Sequence, residues 1–369
     1  MSEALGGLES RRILVRADLN VPLDAGGRIA DDFRVEATLP TIRWLTGRGA
    51  AVVVCSHLGR PGGEPDSRYS LAPVRERLAE RAPGVELLEN LRFNRGETGN
   101  DDRFVQELVE GCHGYVNEAF GASHRAHASI VGPPRYLPSA AGSLLARETE
   151  VLLGLRAAPK RPFVAVLGGA KVSDKLGVIA ALLGIADEVV IGGGMCFTFL
   201  AALGHPVGDS LLQADQVEAC SHLLASGARI RLPSDITALA PGERVVQAGV
   251  DLRPGWRGLD IGPGSAAEFS DLIADAGTVL WNGPMGLFED PRFAAGTKVV
   301  AQAMATTRAF TVVGGGDSAA AVRRFGLDRE MDHVSTGGGA SLELIERGDL
   351  PGLEALRNSQ TYRKGVANG

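Results

Sequence analysis

Short β-branched runs alternate along this chain with longer Ala- and Leu-rich stretches of helical period, and that alternation restricts the fold more than any other feature. The expected strands are Ile13–Ala17, Ala51–Ser56, Val85–Glu89 and Gly114–Asn117 in the first half. In the second half they are Phe163–Leu167, Glu188–Ile191, Arg229–Leu232, Thr278–Trp281, Phe310–Val313 and His333–Ser335. Between them the periodicity predicts helices over Val35–Thr46, Leu71–Arg81, Val217–Ala225, Ala267–Ala276, Thr297–Ala305 and Ser318–Phe325. Strands that take turns with helices in this way build parallel sheets closed by crossover helices, so the expected class is α/β. Strand runs ending in Gly, Ser-His or Asn-Gly set functional loops at their carboxyl ends, where open α/β sheets bind ligands.

With 369 residues the chain exceeds one ordinary hydrophobic core, and two domains are expected. The joint falls on Ser139–Ala157, apolar-periodic on one face, charged on the other, and stopped by Ala158-Pro159-Lys160-Arg161-Pro162. It reads as a helix joining two lobes. The first domain is then residues 1–157, with the connecting helix at 139–157, and the second is 158–345. A net charge of −6 speaks against non-specific nucleic-acid binding as the main role. Cys55, Cys112, Cys196 and Cys220 form no CxxC pair and meet no His at metal-ligand spacing, which fits reduced thiols. Met1–Glu9 lacks the apolar core of a signal peptide, and no stretch reaches the roughly 20 apolar residues of a membrane span. The expectation is a cytoplasmic protein with no membrane and no nucleic-acid partner.

The basic residues are nearly all arginine. The five lysines are Lys160, Lys171, Lys175, Lys298 and Lys364, and two of them share the run Leu167-Gly168-Gly169-Ala170-Lys171-Val172-Ser173-Asp174-Lys175. A compact ammonium on a mobile stem supplies chemistry that a guanidinium does not. Strand, glycines, then helix start is also a geometry in which backbone N–H groups hold phosphate. The same spacing equally fits two solvated lysines on one helix face. Three glycine triplets, Gly192–Gly194, Gly314–Gly316 and Gly337–Gly339, permit close backbone approach to a ring or a phosphate and point to a nucleotide platform. Asp317 follows the second triplet at an expected helix start, either as an N-cap or as a carboxylate for Mg²⁺. The stretch Gly314–Ala319 also fits the GxGxxG/A pattern of dinucleotide enzymes, but Ser335–Gly339 stand where the partner acid is expected. No GxxxxGK[ST] loop occurs.

The first half instead scatters basic and polar groups at strand ends. Asp18 and Asn20 follow the first strand, and Arg34 follows a loop. His57 and Arg60 lie in Ser56-His57-Leu58-Gly59-Arg60-Pro61, Arg92 in Glu89-Asn90-Leu91-Arg92-Phe93, and Arg125 in His124-Arg125-Ala126-His127. Parallel topology brings such loops onto one rim. An Arg/His rim suits a small polyanion bearing carboxylate and phosphate, since guanidinium binds both bidentately. His124 and His127 have metal-like spacing, but no third ligand or carboxylate pattern accompanies them.

Nine segments in chain order resemble phosphoglycerate kinase: Val15–Pro22, Ser56–Pro61, Leu88–Phe93, Ala119–Gly121 with His124–His127, Leu167–Lys175, Gly192–Leu200, Trp281–Glu289, Gly314–Asp317 and His333–Glu343. The resemblance runs from Arg11 to Leu356. It implies two Rossmann-like lobes joined by a connecting helix, acting as a monomer. It also implies reversible Mg²⁺-dependent phosphoryl transfer between ATP and 3-phosphoglycerate after domain closure. Carried over by motif, Asp18, Asn20, Arg34, His57, Arg60, Arg92 and Arg125 would hold 3-phosphoglycerate. Lys171, Lys175, Gly193, Gly194, Asn282, Glu289, Gly314, Gly315, Gly316, Asp317 and Ser318 would hold ATP or ADP, with Asp317 on the metal. Arg34 and Lys175, from opposite lobes, would converge on the transferring group beside the backbone of Gly338 and Gly339. The last segment, 346–369, would return toward the first lobe and end in a loose tail after Asn358. Leu19 stands where the family usually has Phe, Glu118 where Asp is common, and Ser318 where Thr is frequent.

Overall fold

The uninterrupted apolar runs of the sequence become strands buried on both faces, as parallel sheets covered by helices require. The computed structural model describes residues 1–227 and 229–359. Two units are present, one of Met1–Glu150 with the chain from Arg347 on, the other of Val151–Glu346.

The first unit is built on β1 (Arg12–Arg16), β2 (Ala51–Cys55), β3 (Glu86–Leu87), β4 (Gly114–Asn117) and β5 (Ser139–Ala141), in the order β3-β2-β1-β4-β5 with every pair parallel. Ile13 of β1 stands between Val52 of β2 and Gly114 of β4. Helices Phe33–Thr46 and Ala72–Arg81 bury Val35, Leu39, Ile42, Val74 and Leu78 against the Ile13, Val15, Val52 and Val54 face. Leu14, Val53, Cys55 and Tyr115 pack on the other face. Helix Pro351–Arg357 belongs to this unit, where Gly352 N–H donates to Ser123 O at 2.9 Å.

The stretch expected as one helix from Ser139 is divided: Ser139–Ala141 pairs with β4, and the helix is Ser143–Ala157. Between them a Cβ on Gly142 would stand 1.8 Å from Glu118 Oε2, so the glycine and the buried Glu118 fix the break. The Glu118 carboxylate accepts the Leu144 N–H at 3.2 Å, which caps the helix start.

The second unit contains β6 (Phe163–Leu167), β7 (Glu188–Ile191), β8 (Ile230–Arg231), β9 (Asp235–Ala240), β10 (Arg244–Gly249), β11 (Arg257–Ile261), β12 (Thr278–Asn282), β13 (Phe310–Gly314) and β14 (His333–Val334). Six form a parallel sheet of order β14-β13-β12-β6-β7-β8, packed around Val164, Val166, Val190, Trp281 and Val313. The other three form an antiparallel sheet, β10-β9-β11, that periodicity did not reveal.

Both parallel sheets share one topological property. The first strand of each, β1 or β6, lies between a strand reached by winding one way and a strand reached by winding the other. Such a switch point opens a crevice at the carboxyl ends, between β1 and β4 in one unit and between β6 and β12 in the other. Among the described residues no helix is long and apolar enough to cross a membrane.

Candidate functional site

At the β6/β12 crevice the chain leaves Leu167 through Gly168 and Gly169. Gly168 N–H donates to Asn282 O and Gly169 N–H to Pro284 O, both at 3.0 Å. A Cβ on Gly168 would lie 2.1 Å from Pro284 O, so only glycine allows the strand ends this close. Lys171 and Lys175 do not share a helix face: both stand in the turn before helix Leu176–Leu183, closed by Lys175 N–H donating to Val172 O at 2.9 Å. Lys171 is exposed. Lys175 is largely buried and donates to Asn282 O at 3.1 Å and to Asn282 Oδ1. Burial pulls its pKa down to about 8, against the attraction of Asp317 and Asp174.

The turn after β13 reaches the same place. Gly315, Gly316 and Asp317 join Lys171, Lys175 and Asn282 around a pocket of about 330 Å³. Gly315 takes the N-cap position of helix Gly316–Arg324, so Asp317 is not the cap but an exposed carboxylate in the first turn. Ser318 is buried and its Oγ accepts the Gly283 N–H, fixing the neighbouring loop. Asn282 Nδ2 is buried without an acceptor among the described residues. A Cβ on Gly314 or Gly315 would press on that amide, at 3.3 and 2.9 Å. On Gly316, Gly338 or Gly339 it would meet nothing within 4 Å. Gly338 is held at φ +53°, a left-handed conformation that by itself favours glycine, whereas neither packing nor backbone conformation calls for glycine at Gly316 and Gly339, where open space lets a ligand approach the backbone.

An adjoining pocket of about 230 Å³ is lined by Gly193, Gly194, Phe197, Met285, Leu287 and Glu289, among others, and suits a flat apolar ring. Among the described residues no three His, Cys, Asp or Glu side chains form a metal-binding group. Asp174 and Asp317 nevertheless line the pocket of about 330 Å³ beside Lys171 and Lys175, and a donor set of one or two carboxylates completed by phosphate oxygens is the one Mg²⁺ favours.

At the β1/β4 crevice, Asp18 is buried and accepts from Arg34 Nη1 at 2.8 Å. Burial pushes the Asp18 pKa up, but the charges of Arg34 and Arg16 and the Asn20 N–H outweigh it and hold the group below the usual carboxylate range. Asn20 Oδ1 accepts the Gly59 N–H at 2.9 Å, and Arg92 Nη1 donates to Gly59 O at 2.7 Å. The loops after β1, β2 and β3 are thereby tied together. Arg60, Arg92, Arg125 and His127 line an open cleft of about 410 Å³. Arg92 Nε is buried with no acceptor among the described residues. Burial and three neighbouring arginines hold His57 well below its ordinary pKa despite Asp18. Fixed cations with donors left over are what a carboxylate or phosphate ligand requires.

The family model for phosphoglycerate kinase matches residues 5–86 and 79–348. The chain belongs to the phosphoglycerate kinase family. The phosphoglycerate kinase of Parafrankia sp. (strain EAN1pec) is 53% identical over 94% of this chain and 96% of its own. That of Rubrobacter xylanophilus is 50% identical over 95% of this chain and 96% of its own. The structure of phosphoglycerate kinase from Coxiella burnetii matches with a TM-score of 0.86 at 36% identity, covering 96% of this chain and 98% of that one. Phosphoglycerate kinase from Pyrococcus horikoshii OT3 matches with a TM-score of 0.86 at 30% identity and the same coverage. The chain is therefore a kinase that transfers phosphate to a carboxyl group, with ATP/ADP as co-substrate.

Against that family background, three buried charges escaped the sequence reading. Arg16 and Glu97, both fully buried, lie 3.7 Å apart behind the arginine cleft. A charge closing the apolar run Ile13–Val15 was the available signal for Arg16; nothing local marks Glu97. Asp260, also buried, accepts N–H groups of Gly296 at 2.8 Å and Ile261 at 3.0 Å, and burial pushes its pKa up to about 7.

Proposed function

We propose that this chain catalyses reversible transfer of the γ-phosphoryl group of ATP to the carboxylate of 3-phosphoglycerate. The products are ADP and 1,3-bisphosphoglycerate, and the step belongs to glycolysis and gluconeogenesis. The observation that carries this reading is a pair of sites of opposite design at equivalent switch points. One is an open cleft lined by guanidinium groups, of which Arg92 is held by Gly59 O; the other is a glycine-walled pocket with a buried ammonium and an unpartnered amide donor.

In this reading Asp18, Asn20, Arg34, His57, Arg60, Arg92 and Arg125 hold 3-phosphoglycerate. Lys171, Lys175, Asn282 and the Gly314–Ser318 turn receive the nucleotide phosphates, while Gly193, Gly194 and Glu289 receive the nucleoside. Asp317 would hold Mg²⁺, which when bound neutralises charge on the phosphates. No protein nucleophile is needed, so rate enhancement rests on alignment and on stabilising the transferring group. Arg34 from domain 1–157 and Lys175 from domain 158–345 converge on that group after closure, with the N–H groups of Gly338 and Gly339 as fixed dipoles. Closure also excludes water from the reacting phosphoryl group. Segment 346–369 returns toward the first domain; its residues 360–369 lie outside the described residues. The enzyme acts as a cytoplasmic monomer on small molecules.

A coupled assay with ATP, Mg²⁺ and 3-phosphoglycerate tests the reaction, and absence of acceptor-dependent ADP formation refutes it. Arg34→Ala should lower kcat on the order of 10²-fold with little change in the KM for 3-phosphoglycerate. A pure KM effect would reduce Arg34 to ground-state binding.

A further inference from the structure

Behind the arginine cleft lies an ion pair that the proposed transfer does not use. Arg16, the last residue of β1, and Glu97, in the short helix Arg95–Gly99, are fully buried. Ser129 joins them: Arg16 Nε donates to Ser129 Oγ at 2.7 Å, and that hydroxyl donates to Glu97 Oε1 at 2.7 Å. Ser129 N–H donates to Glu97 Oε2 at 3.0 Å. Arg16 Nη1 donates to Ala17 O, and Nη2 lies 3.2 Å from Nδ1 of His57. A buried pair of this kind is often no more stabilising than apolar side chains of similar volume. Its purpose is better sought in what it imposes on its neighbour.

A guanidinium carries donors only and keeps its charge in a protein. A ring nitrogen facing Nη2 at hydrogen-bond distance must present a lone pair, which leaves the single proton of a neutral imidazole on Nε2. We propose that Arg16, neutralised and held by Glu97, is a positioning residue that locks His57 as the neutral Nε2–H tautomer, so that the ring meets the substrate cleft as a hydrogen-bond donor to an anionic oxygen. The anionic oxygen rests on the function proposed above; the tautomer does not. The opposite tautomer and the imidazolium both set an N–H against Nη2, donor facing donor. The charged groups facing the ring are Arg16 and Asp18 from β1 and its loop, Arg34 from helix Phe33–Thr46, and Arg92 from the turn after β3. Among the described residues no protein group accepts a hydrogen bond from Nε2, which leaves that donor for a ligand.

The test is ¹⁵N NMR of the histidines in the full chain between about pH 5.5 and 8, a window that spans the ordinary histidine pKa. The expected result is a His57 ring with unprotonated Nδ1 and Nε2–H throughout; an Nδ1–H ring, or titration within the window, overturns the proposal. Arg16→Met with Glu97→Gln removes both charges together and so avoids stranding a buried carboxylate. In that double variant the His57 signals should average between tautomers or titrate, and the KM for 3-phosphoglycerate should rise on the order of tenfold, as for one lost hydrogen bond to a charged group, with kcat nearly kept. A retained single tautomer, or a lost tautomer with unchanged KM, overturns it. A wild-type chain that shows the Nε2–H ring but turns over no 3-phosphoglycerate refutes the functional reading and leaves the lock intact.

Discussion

Lys175 destabilises the unit in which it sits, and Lys175→Met should reveal this. Burial lowers its pKa from 10.5 to about 8. At about 1.4 kcal/mol per unit, the charged ammonium then costs about 3 kcal/mol relative to the unfolded chain below pH 8. Methionine fills the same stem volume without the charge. It also leaves Asn282 O and Oδ1 without the donor they now have, at roughly 1 kcal/mol each. The net expectation at pH 7 is a variant more stable by about 1 kcal/mol, and without phosphoryl-transfer activity.

The sign with pH follows from the direction of the shift. The folded pKa lies below the unfolded one, so between about 8 and 10.5 the unfolded chain binds more protons and the stability of the parent rises with pH. Lys175→Met has no such group, and its advantage must shrink and then reverse across that window. Urea denaturation of the full chain, followed by circular dichroism at pH 7 and pH 10, measures both quantities. A variant less stable than the parent at pH 7, or a difference that ignores pH, would refute the reasoning.

Gly316→Ala separates folding from ligand binding. Its Cβ would meet no atom within 4 Å and the position opens a helix, so stability should be unchanged or rise by about 0.5–1 kcal/mol. ADP affinity by calorimetry should nevertheless fall on the order of tenfold, if phosphate packs on that backbone, and an unchanged Kd would sink the assignment. For Asp260, burial raises the folded pKa to about 7, so stability is greatest near the unfolded pKa and declines as pH rises to 7. Asp260→Asn should therefore gain on the parent between pH 5 and pH 8 in thermal melts, whatever constant offset its amide introduces; a pH-independent difference would count against the buried-acid account.

Much of the sheet framework was readable because burial on both faces leaves an unambiguous signal. Gly114–Asn117, Phe163–Leu167 and Glu188–Ile191 have the limits that their apolar runs predict. The antiparallel sheet left none. β9 is Asp235-Ile236-Thr237-Ala238-Leu239-Ala240, in which alanine is a poor strand former, and β10 lies largely exposed to water. The hairpin between them closes on Gly242 and Glu243, both at positive φ; Pro241-Gly242 marks a turn, but a glutamate at the second position does not mark this one as a hairpin. In the clefts, Asn20, Arg60, Arg92 and Arg125 could be grouped because parallel topology gathers loops that follow strands. The relation of Lys171 to Lys175 could not be read from spacing, since burial of Val172 and the turn it anchors hold both lysines ahead of the helix. Glu97 was invisible for a different reason: only the tertiary approach of Arg16 and Ser129 makes its burial tolerable.

The two crevices use cations in different ways, and the difference follows from burial. Arg60, Arg92 and Arg125 line an open cleft, where a planar fork with several donors can meet an acid or phosphate two bonds at a time and never loses its charge. At Lys175 the side chain is largely buried, and its acceptors are two oxygens of one residue, Asn282. A guanidinium there would carry five donors into a space that satisfies two, and each donor left unmet would be costly. An ammonium needs fewer partners, and its flexible stem allows the charge to leave Asn282 for an incoming anion. The buried lysine is thus at once the least stable cation of the pocket and the one most easily drawn to new negative charge. That is the property which the role proposed for Lys175 requires, since a phosphoryl must be bound more tightly in transit than at rest.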